Sequence, residues 1–117
     1  MLYVVPYKSR QVHEVTLAKS RKTTMRWLID KTNGARTYAM RHFVIAAGGI
    51  VPVHSHPEEH EIFVLSGSAK MLGSGEGLVA KKDDIIFVPS NELHGYDNTK
   101  GTEDFTFICV IPLLDKD

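Results

Sequence analysis

Apolar and more polar residues alternate with a period of two along most of the chain. Met25, Trp27 and Ile29 share one parity near the start, and Phe105 and Phe107 do so near the end. Successive side chains of a β-strand point to opposite faces, so this pattern predicts half-buried strands. No stretch shows the stripe that an amphipathic helix would require. The pattern therefore predicts an all-β chain.

Turn signals rich in Gly, Asn, Ser and Pro separate the alternating runs about every 8–12 residues, as in β-sandwiches and barrels. The signals are Thr32-Asn33-Gly34, Ala47-Gly48-Gly49, Ser66-Gly67-Ser68, residues 73–77 and Pro89-Ser90-Asn91. We predict strands near residues 3–5, 11–17, 22–30, 35–46, 50–54, 60–66, 68–72, 76–80, 84–88, 93–97 and 103–111. Nothing indicates a linker, so we expect one domain over residues 1–117, with its barrel at about 35–112.

The composition is that of an ordinary globular domain. Of the 117 residues 43% are apolar and 24% are charged, and 14 Lys plus Arg balance 14 Asp plus Glu. A neutral chain with no basic tract lacks the positive patch that phosphate backbones require. We therefore expect neither nucleic acid nor an anionic membrane surface among its partners.

Two further features point to the cytoplasm. No apolar run approaches the roughly 20 residues of a membrane span, and the first charges follow a short apolar stretch instead of preceding it. Cys109 is the only cysteine, which excludes an internal disulfide and fits a reducing compartment.

Three of the six histidines fall within seven residues, at His54, His56 and His60. His54 and His56 are two residues apart, so on extended backbone they project to one face. Pro57 bends the chain out of the ladder, and His60 opens the next strand, which can run antiparallel beside the first. Two ligands from one strand and one from its hairpin partner can converge on a metal ion.

A fourth histidine, His94, lies in the separate hairpin of residues 84–98. A closed barrel would bring it opposite the first group, and convergent histidines are typical of metal sites. We therefore predict a divalent metal centre of His54, His56, His60 and His94, and we expect His13 and His42 to be surface or core residues.

Two spaced motifs surround these histidines. The first comprises Gly48, His54, His56 and Gly67, and the second comprises Pro89, His94 and Asn98. In order and internal spacing they resemble the two motifs of the cupin superfamily. The resemblance implies a double-stranded β-helix, also called a jelly-roll barrel, with mainly antiparallel strands. It also implies that the metal site lies inside this barrel.

One position departs from the cupin pattern. Counting back from Gly67 places His60 where the motif has a glutamate, whereas a longer spacing would select Glu61. Adjacent strand residues face opposite ways, so only one of the two can point inward, and the glycine register favours His60. The chain then resembles the small four-histidine cupins, several of which bind manganese. That resemblance implies Mn²⁺, while ligand softness alone favours Zn²⁺, Fe²⁺, Ni²⁺ or Cu²⁺. Weighing the two, we place Mn²⁺ first and Fe²⁺ second.

The strand pattern and the resemblance also predict the walls of a pocket. The predicted pocket residues are Arg41, Phe43, Val51, Ile62, Phe107 and Cys109, and Val64 and Phe87 are further candidates for the wall or core. Phe107 and Cys109 are equally compatible with simple core packing. Arg41 either faces inward, where it could receive a carboxylate, or lies outside as a surface charge.

The predicted centre permits several functions. An octahedral ion held by four nitrogens keeps two open positions, which suits a small oxygenated ligand or substrate. A metal-dependent oxygenase is the first hypothesis, a metal-dependent isomerase is a variant of it, and a non-catalytic domain that binds or senses a small ligand is the alternative. We also expect a homodimer through residues 1–30, because this region carries more apolar residues than a short barrel needs to bury. These residues are Leu2, Val4, Val5, Trp27 and Ile29.

Overall fold

The computed structural model of the protein describes residues 1–114, so the last three residues of the predicted domain lie outside the described part. Within it the chain forms nine β-strands and three short 3₁₀ turns. The strands are β1 (Val12–Glu14), β2 (Arg21–Ile29), β3 (Tyr38–His54), β4 (His60–Ser66), β5 (Ser68–Gly73), β6 (Val79–Lys81), β7 (Ile85–Val88), β8 (His94–Asp97) and β9 (Phe105–Pro112). The 3₁₀ turns are Tyr7–Ser9, Leu17–Lys19 and Lys31–Asn33.

The strands form one antiparallel sheet that curls into a nearly closed barrel. Its hydrogen-bonded order is β6-β5-β8-β3-β9-β4-β7, with β2 added to β3 and β1 added to β2. Strands β6 and β7 are therefore the two edges that face each other across the opening. The all-β, antiparallel jelly-roll expected from the sequence is confirmed.

The turn predicted at Ala47-Gly48-Gly49 is wrong, because β3 runs through it as one strand from Tyr38 to His54. The first half of β3 pairs with β9 and the second half with β8. Gly48 has φ +87°, and the register with β2 shifts beside it, so the glycines bend the strand from one side of the barrel to the other.

Three other predicted strands are also corrected. Residues 3–5 do not form a strand, and the strand predicted over 11–17 is limited to β1, because the 3₁₀ turns Tyr7–Ser9 and Leu17–Lys19 take up the chain on either side. The strand predicted at 76–80 begins only at Val79, because the preceding turn extends through Gly77. In such short apolar runs the alternation is too brief to define where a strand begins and ends.

Alternate side chains of the long strands fill the barrel interior. Every second residue of β9 is buried, from Phe105 through Phe107 and Cys109 to Ile111. The same period places Ile62 and Val64 of β4 inside, and the rest of that strand's apolar side chains outside. The core therefore lies beneath the histidines, at one end of the barrel.

Asn98 joins the bend of β3 to the loop after β8. Its side-chain amide donates to the carbonyl oxygens of Ile45, Ala46 and Glu103, at 3.0, 3.2 and 2.9 Å. Only 3% of the residue is exposed. The motif asparagine thus acts on the backbone that shapes the barrel.

None of the helical turns within residues 1–114 has the length and apolar character that crossing a membrane would require.

Candidate metal centre

The four motif histidines come from three strands and one loop. His54 ends β3 and lies directly opposite His94, which opens β8. His60 opens β4, and His56 lies in the connection between β3 and β4. His60 and His94 are 6% and 3% exposed, whereas His54 and His56 are half-buried. The group therefore spans the rim and the interior of the barrel.

His54, His56 and His94 each offer a ring nitrogen within 4.8 Å of the other two. The ring centroids of His54 and His94 lie 4.4 Å apart, and that of His56 lies 5.4 Å from His54 and 4.9 Å from His94. Three ring nitrogens this close to one another can hold a metal ion, for which metal–nitrogen distances are about 2.0–2.2 Å. The three rings are thus arranged around a common point.

Backbone carbonyl groups orient all three of these rings. The Nδ1 atoms of His54, His56 and His94 each lie 2.9 Å from a carbonyl oxygen, that of Pro52, Glu58 and Glu92 respectively.

Because a carbonyl oxygen can only accept, each Nδ1 carries the proton and each Nε2 keeps a free lone pair. Histidine ligands of metal ions are typically held by such a bond on the other ring nitrogen. The local fold therefore orients three imidazoles for ligation through Nε2.

His60 is adjacent to this trio but has a different partner. Its ring centroid lies 4.4 Å from that of His56 and 5.2 Å from that of His94. Its Nε2, however, lies 3.2 Å from a terminal guanidinium nitrogen of Arg41. The structure thus groups three of the four predicted ligands by their nitrogens and places the fourth beside them, so ligation by His60 stays a prediction.

Burial keeps these imidazoles neutral. Loss of solvent, with the positive charge of Arg41 as the next cause, lowers the pKa of His60 to about 2. Burial likewise lowers the pKa of His94 to about 4, against the opposing effect of its bond to the Glu92 carbonyl. The pKa of His56 is also lowered, mainly by burial. Neutral imidazole is the form that binds metal.

The parity prediction for β4 agrees with the structure. His60 points inward and Glu61 is exposed on the opposite face. Phe87, expected in the wall or core, is instead 59% exposed, because it pairs with Glu61 across β4 and β7 and shares its outward face. Glu59 is exposed as expected, whereas Glu58 is half-buried beside His56.

The predicted pocket residues cluster on adjacent strands below the histidines. Arg41 lies opposite Cys109, and Phe43 lies opposite Phe107 with their rings stacked at 5.0 Å. Ile62 lies opposite Cys109 from the other side. Val51 is 5% exposed and belongs to the same core. The structure brings these residues together, and their contact with a ligand stays a prediction.

Arg41 faces the barrel interior, which resolves the alternative left open by the sequence. Its guanidinium carbon lies 4.8 Å from the centre of the Phe43 ring and 5.4 Å from that of Trp27. A terminal nitrogen also contacts the Cys109 sulfur at 3.2 Å. Burial raises the pKa of that thiol, so it is neutral. The cation is thus held by aromatic rings and neutral groups.

Sequence reasoning missed Tyr96 and Trp27 as residues of this interior. Tyr96 is 3% exposed, and its ring lies 6.2 Å from that of His94 and 5.3 Å from that of Phe107. Its position two residues after His94 on β8 was a usable signal, because the two share a face. Trp27 was assigned to an outer surface, but it packs against the core because β2 pairs it with Arg41.

A cleft of about 530 Å³ reaches His94 from the open side of the barrel. Its walls are the edge strands β6 and β7 and the end of β5, and they are largely apolar. The lining residues include Met71, Leu78, Ile85, Phe87 and Leu93. A small organic molecule could approach the histidines along this path.

Comparison with known families identifies the fold family. The family model described as a cupin domain matches residues 41–111, which include all four motif histidines. The chain belongs to the cupin family. The antiparallel barrel and the paired histidine motifs of this cupin agree with that assignment.

Two kinds of relative stand out by sequence and by structure. The "Oxalate-binding protein" of Thermotoga maritima is 35% identical over 83 residues, which are 70% of this cupin but 66%, just under two thirds, of that protein. The polyketide cyclase RemF from Streptomyces resistomycificus is 30% identical, with a TM-score of 0.89 over 97% of this chain and 81% of that one. A "predicted oxalate decarboxylase" from Thermotoga maritima is 26% identical, with a TM-score of 0.79 over 96% of this chain and 100% of that one.

The residues present fit a divalent transition metal ion. Three Nε2 atoms converge with their rings oriented, and within the described residues His94 Nε2 is a buried atom with no hydrogen-bond partner. A buried lone pair without a donor is costly unless a ligand or ion engages it. Imidazole nitrogen suits Mn²⁺, Fe²⁺, Zn²⁺, Ni²⁺ and Cu²⁺ to different degrees and does not choose among them.

Proposed function

We propose that this cupin is a metal-dependent enzyme that acts on a small oxygenated molecule by chemistry at carbon next to a carbonyl group. The observation that carries the proposal is the set of three imidazoles whose Nδ1 atoms are tied to carbonyl oxygens and whose Nε2 atoms converge. Support for the reaction class comes from the similarity to a polyketide cyclase over nearly the whole chain.

A divalent ion at His54, His56 and His94 supplies Lewis acidity toward neighbouring substrate oxygens. The protein's own contribution is to hold the imidazoles rigid and to surround the reacting group with apolar walls. The stacked rings of Phe43 and Phe107 lie on the interior side and exclude water from it. A planar, oxygen-rich substrate would pack on such walls while its oxygens face the histidines.

The proposal has two forms. The first is the oxygenase reaction expected from the sequence, which consumes dioxygen. An isomerisation or ring closure needs only enolisation and consumes no oxidant. The similarity to a cyclase favours the second form, and measurement of dioxygen uptake separates the two.

Non-catalytic binding is the second candidate, and the placement of Glu58 favours it. The Glu58 carboxylate lies 3.8 Å from His56 Nδ1, the ring nitrogen that faces away from the centre. It can orient that ring, but from there it does not face the side where a substrate proton would be removed. The similarity to an oxalate-binding protein agrees with a metal-anchored ligand site.

Metal analysis of protein purified without chelator tests the centre. We expect about one equivalent of divalent metal per chain, and His54→Ala and His94→Ala should each weaken metal affinity by at least about 100-fold, since even the groups that orient metal ligands are worth 10–100-fold. The exposed His13 provides the matched control, and His13→Ala should leave affinity unchanged. A smaller loss in His60→Ala than in the other two would indicate three ligands, and an equal loss would indicate four.

Turnover assays then separate the candidate functions. β-Diketones and short polyketones should be converted equally with and without dioxygen, with no oxygen uptake. Stoichiometric uptake would assign the oxygenase reaction instead. Tight binding without any product would support the binding function, and wild-type protein that retains full activity after complete metal removal would contradict the whole proposal.

A further inference from the structure

The buried side-chain polar atoms without a hydrogen-bond partner all lie in one region of the described structure. They are Arg41 Nε, His60 Nδ1, His94 Nε2 and Tyr96 Oη. His60, His94 and Tyr96 are each less than 7% exposed. Folded proteins rarely leave such atoms unpaired, because a buried polar atom without a partner destabilises the fold. The candidate metal ion accounts for His94 Nε2, and the other three atoms indicate that a polar ligand belongs beside it.

The four residues form one connected group. Arg41 contacts His60 through a terminal nitrogen, and the rings of His60 and His94 lie 5.2 Å apart. Tyr96 packs beside His94 and against Phe107, which stacks on the Phe43 ring beneath Arg41. The unpaired atoms thus belong to neighbouring side chains that lie beside the three-histidine centre.

Three of the four unpaired atoms are hydrogen-bond donors. Arg41 can only donate, so the His60 Nε2 beside it accepts, and the proton of the neutral His60 ring is then on Nδ1. Arg41 Nε–H donates as well, and the phenolic hydroxyl of Tyr96 carries a proton that it can donate. The exception is His94 Nε2, which keeps a lone pair.

The positive charge of Arg41 is a second feature of this interior. Within residues 1–114 no carboxylate lies within 4 Å of the Arg41 guanidinium, since the one ion pair found there joins His56 and Glu58. The contacts of Arg41 are an imidazole, a thiol and two aromatic rings, all of them neutral. Arg41 is half-buried with its Nε atom fully buried, and a cation that has lost part of its hydration is normally paired. The natural partner of this cation is therefore a ligand that carries negative charge.

We propose that the site binds an anionic ligand, a carboxylate or an enolate, whose oxygens accept hydrogen bonds from Arg41, Tyr96 and His60 while it lies against the three-histidine centre. This inference rests on the proposed function for the position of the ligand but not for the role of Arg41. A metal ion at His54, His56 and His94 would add two positive charges to that of Arg41, and neutral imidazoles offset none of them. Anions are thus selected over neutral molecules of the same shape.

Titration calorimetry with oxalate, formate and the neutral diamide oxamide tests the inference on protein as purified and after Mn²⁺ loading. Two variants remove the proposed donors, Arg41→Met and Tyr96→Phe. Their matched controls are Arg36→Met and Tyr38→Phe, which change exposed residues of the same types. Metal content is measured on every sample.

We expect oxalate to bind at least about 10-fold more tightly than oxamide, because hydrogen bonds to charged groups are the stronger ones. Arg41→Met and Tyr96→Phe should each weaken oxalate binding by about 10-fold or more, and the controls should not. Tyr96→Phe removes only an unpaired buried hydroxyl, so without ligand its urea midpoint should be equal to or above that of the wild type. A merely structural hydroxyl would lower that midpoint.

Equal oxalate affinity in Tyr96→Phe, Arg41→Met and the controls would overturn the inference, as would oxamide binding as tightly as oxalate or no binding of either anion. If Arg41→Met does not fold, Tyr96→Phe decides. If metal-free protein binds oxalate, and Arg41→Met and Tyr96→Phe weaken that binding, the anion site stands and the proposed metal function does not. If the metal-loaded variants bind the anions as tightly as the wild type, the anion site is excluded and the metal function stands.

Discussion

His94 shows the two requirements of a metal ligand in this centre, a fixed ring and a neutral one. The bond from Nδ1 to a carbonyl fixes the ring of His94, and burial keeps it unprotonated. The same burial raises the cost of charging His60, where the nearby Arg41 guanidinium adds to it. Preparation for metal binding thus also makes the metal-free fold sensitive to acid.

The pH dependence of the metal-free protein follows from these lowered values. The unfolded chain takes up protons on His60 and His94 near the ordinary pKa of 6.5, whereas the folded chain takes them up only near 2 and 4. Stability is therefore fully present above pH 6.5 and falls as the pH drops below it. Urea unfolding of metal-free protein should show a constant midpoint above about pH 7 and a steadily lower one toward pH 4.

The control for this prediction compares two substitutions. His94→Gln should reduce the slope of stability against pH between 6.5 and 4, because one of the two groups that titrate differently in the two states is gone and only His60 remains. His13→Gln, at an exposed position, should keep the wild-type slope. An unchanged slope in His94→Gln would assign the acid sensitivity to other groups.

At the scale of elements, glycines decide where the strands bend and turn. Gly48 lets β3 change partners without ending, and Gly67 joins β4 to β5 in the left-handed region, at φ +75°. A Cβ placed on Gly67 would collide with the carbonyl oxygen of Asp104, in the loop before β9. The turn is thus fixed both by its own conformation and by close packing of another element.

Gly67→Ala and Gly77→Ala separate those two effects. Gly77 also has a positive φ, of +92°, but nothing lies within 4 Å of an added Cβ. We expect Gly77→Ala to cost about 1 kcal/mol from backbone strain alone and Gly67→Ala about 3 kcal/mol or more. The free energy of unfolding in urea measures both, and equal losses would mean that the Asp104 loop yields to the added methyl group.

At the scale of the whole molecule, apolar side chains remain exposed in the N-terminal segment. Leu2 and Val4 are 88% and 90% exposed, and Val5 and Ile29 are partly so. Exposed apolar residues of this density are typical of interaction surfaces. The homodimer expected through residues 1–30 therefore stays a prediction with a physical basis.

The mass in solution, measured by sedimentation, tests this prediction directly. The wild type should have about twice the 13.1 kDa mass of one chain, and the double variant Leu2→Ser, Val4→Ser should dissociate at concentrations at least about 10-fold higher. Leu78→Ser, at a residue 65% exposed outside the segment, is the control and should not dissociate. A wild-type monomer at all concentrations would exclude the dimer.

Much of the fold was accessible from pattern alone. The period of two and the paired motifs predicted the antiparallel barrel, and parity correctly pointed His60 inward and Glu61 outward. The break predicted at Gly48 was wrong because a glycine bend and a glycine turn have the same local sequence. Which one forms depends on the partners of the strand on either side, and those partners are distant in the chain.

The sequence by itself determined the alternation that builds the strands and the residue types able to hold a metal, because both are local properties. The tertiary structure alone decided that Arg41 faces inward, that it contacts His60 and that Tyr96 lies beside His94. These relations depend on cross-strand register between segments far apart in the chain, such as Arg41 opposite Cys109. A shift of one residue would have turned each side chain to the other face of the sheet, so only the assembled barrel establishes the charge and hydrogen-bonding character of its interior.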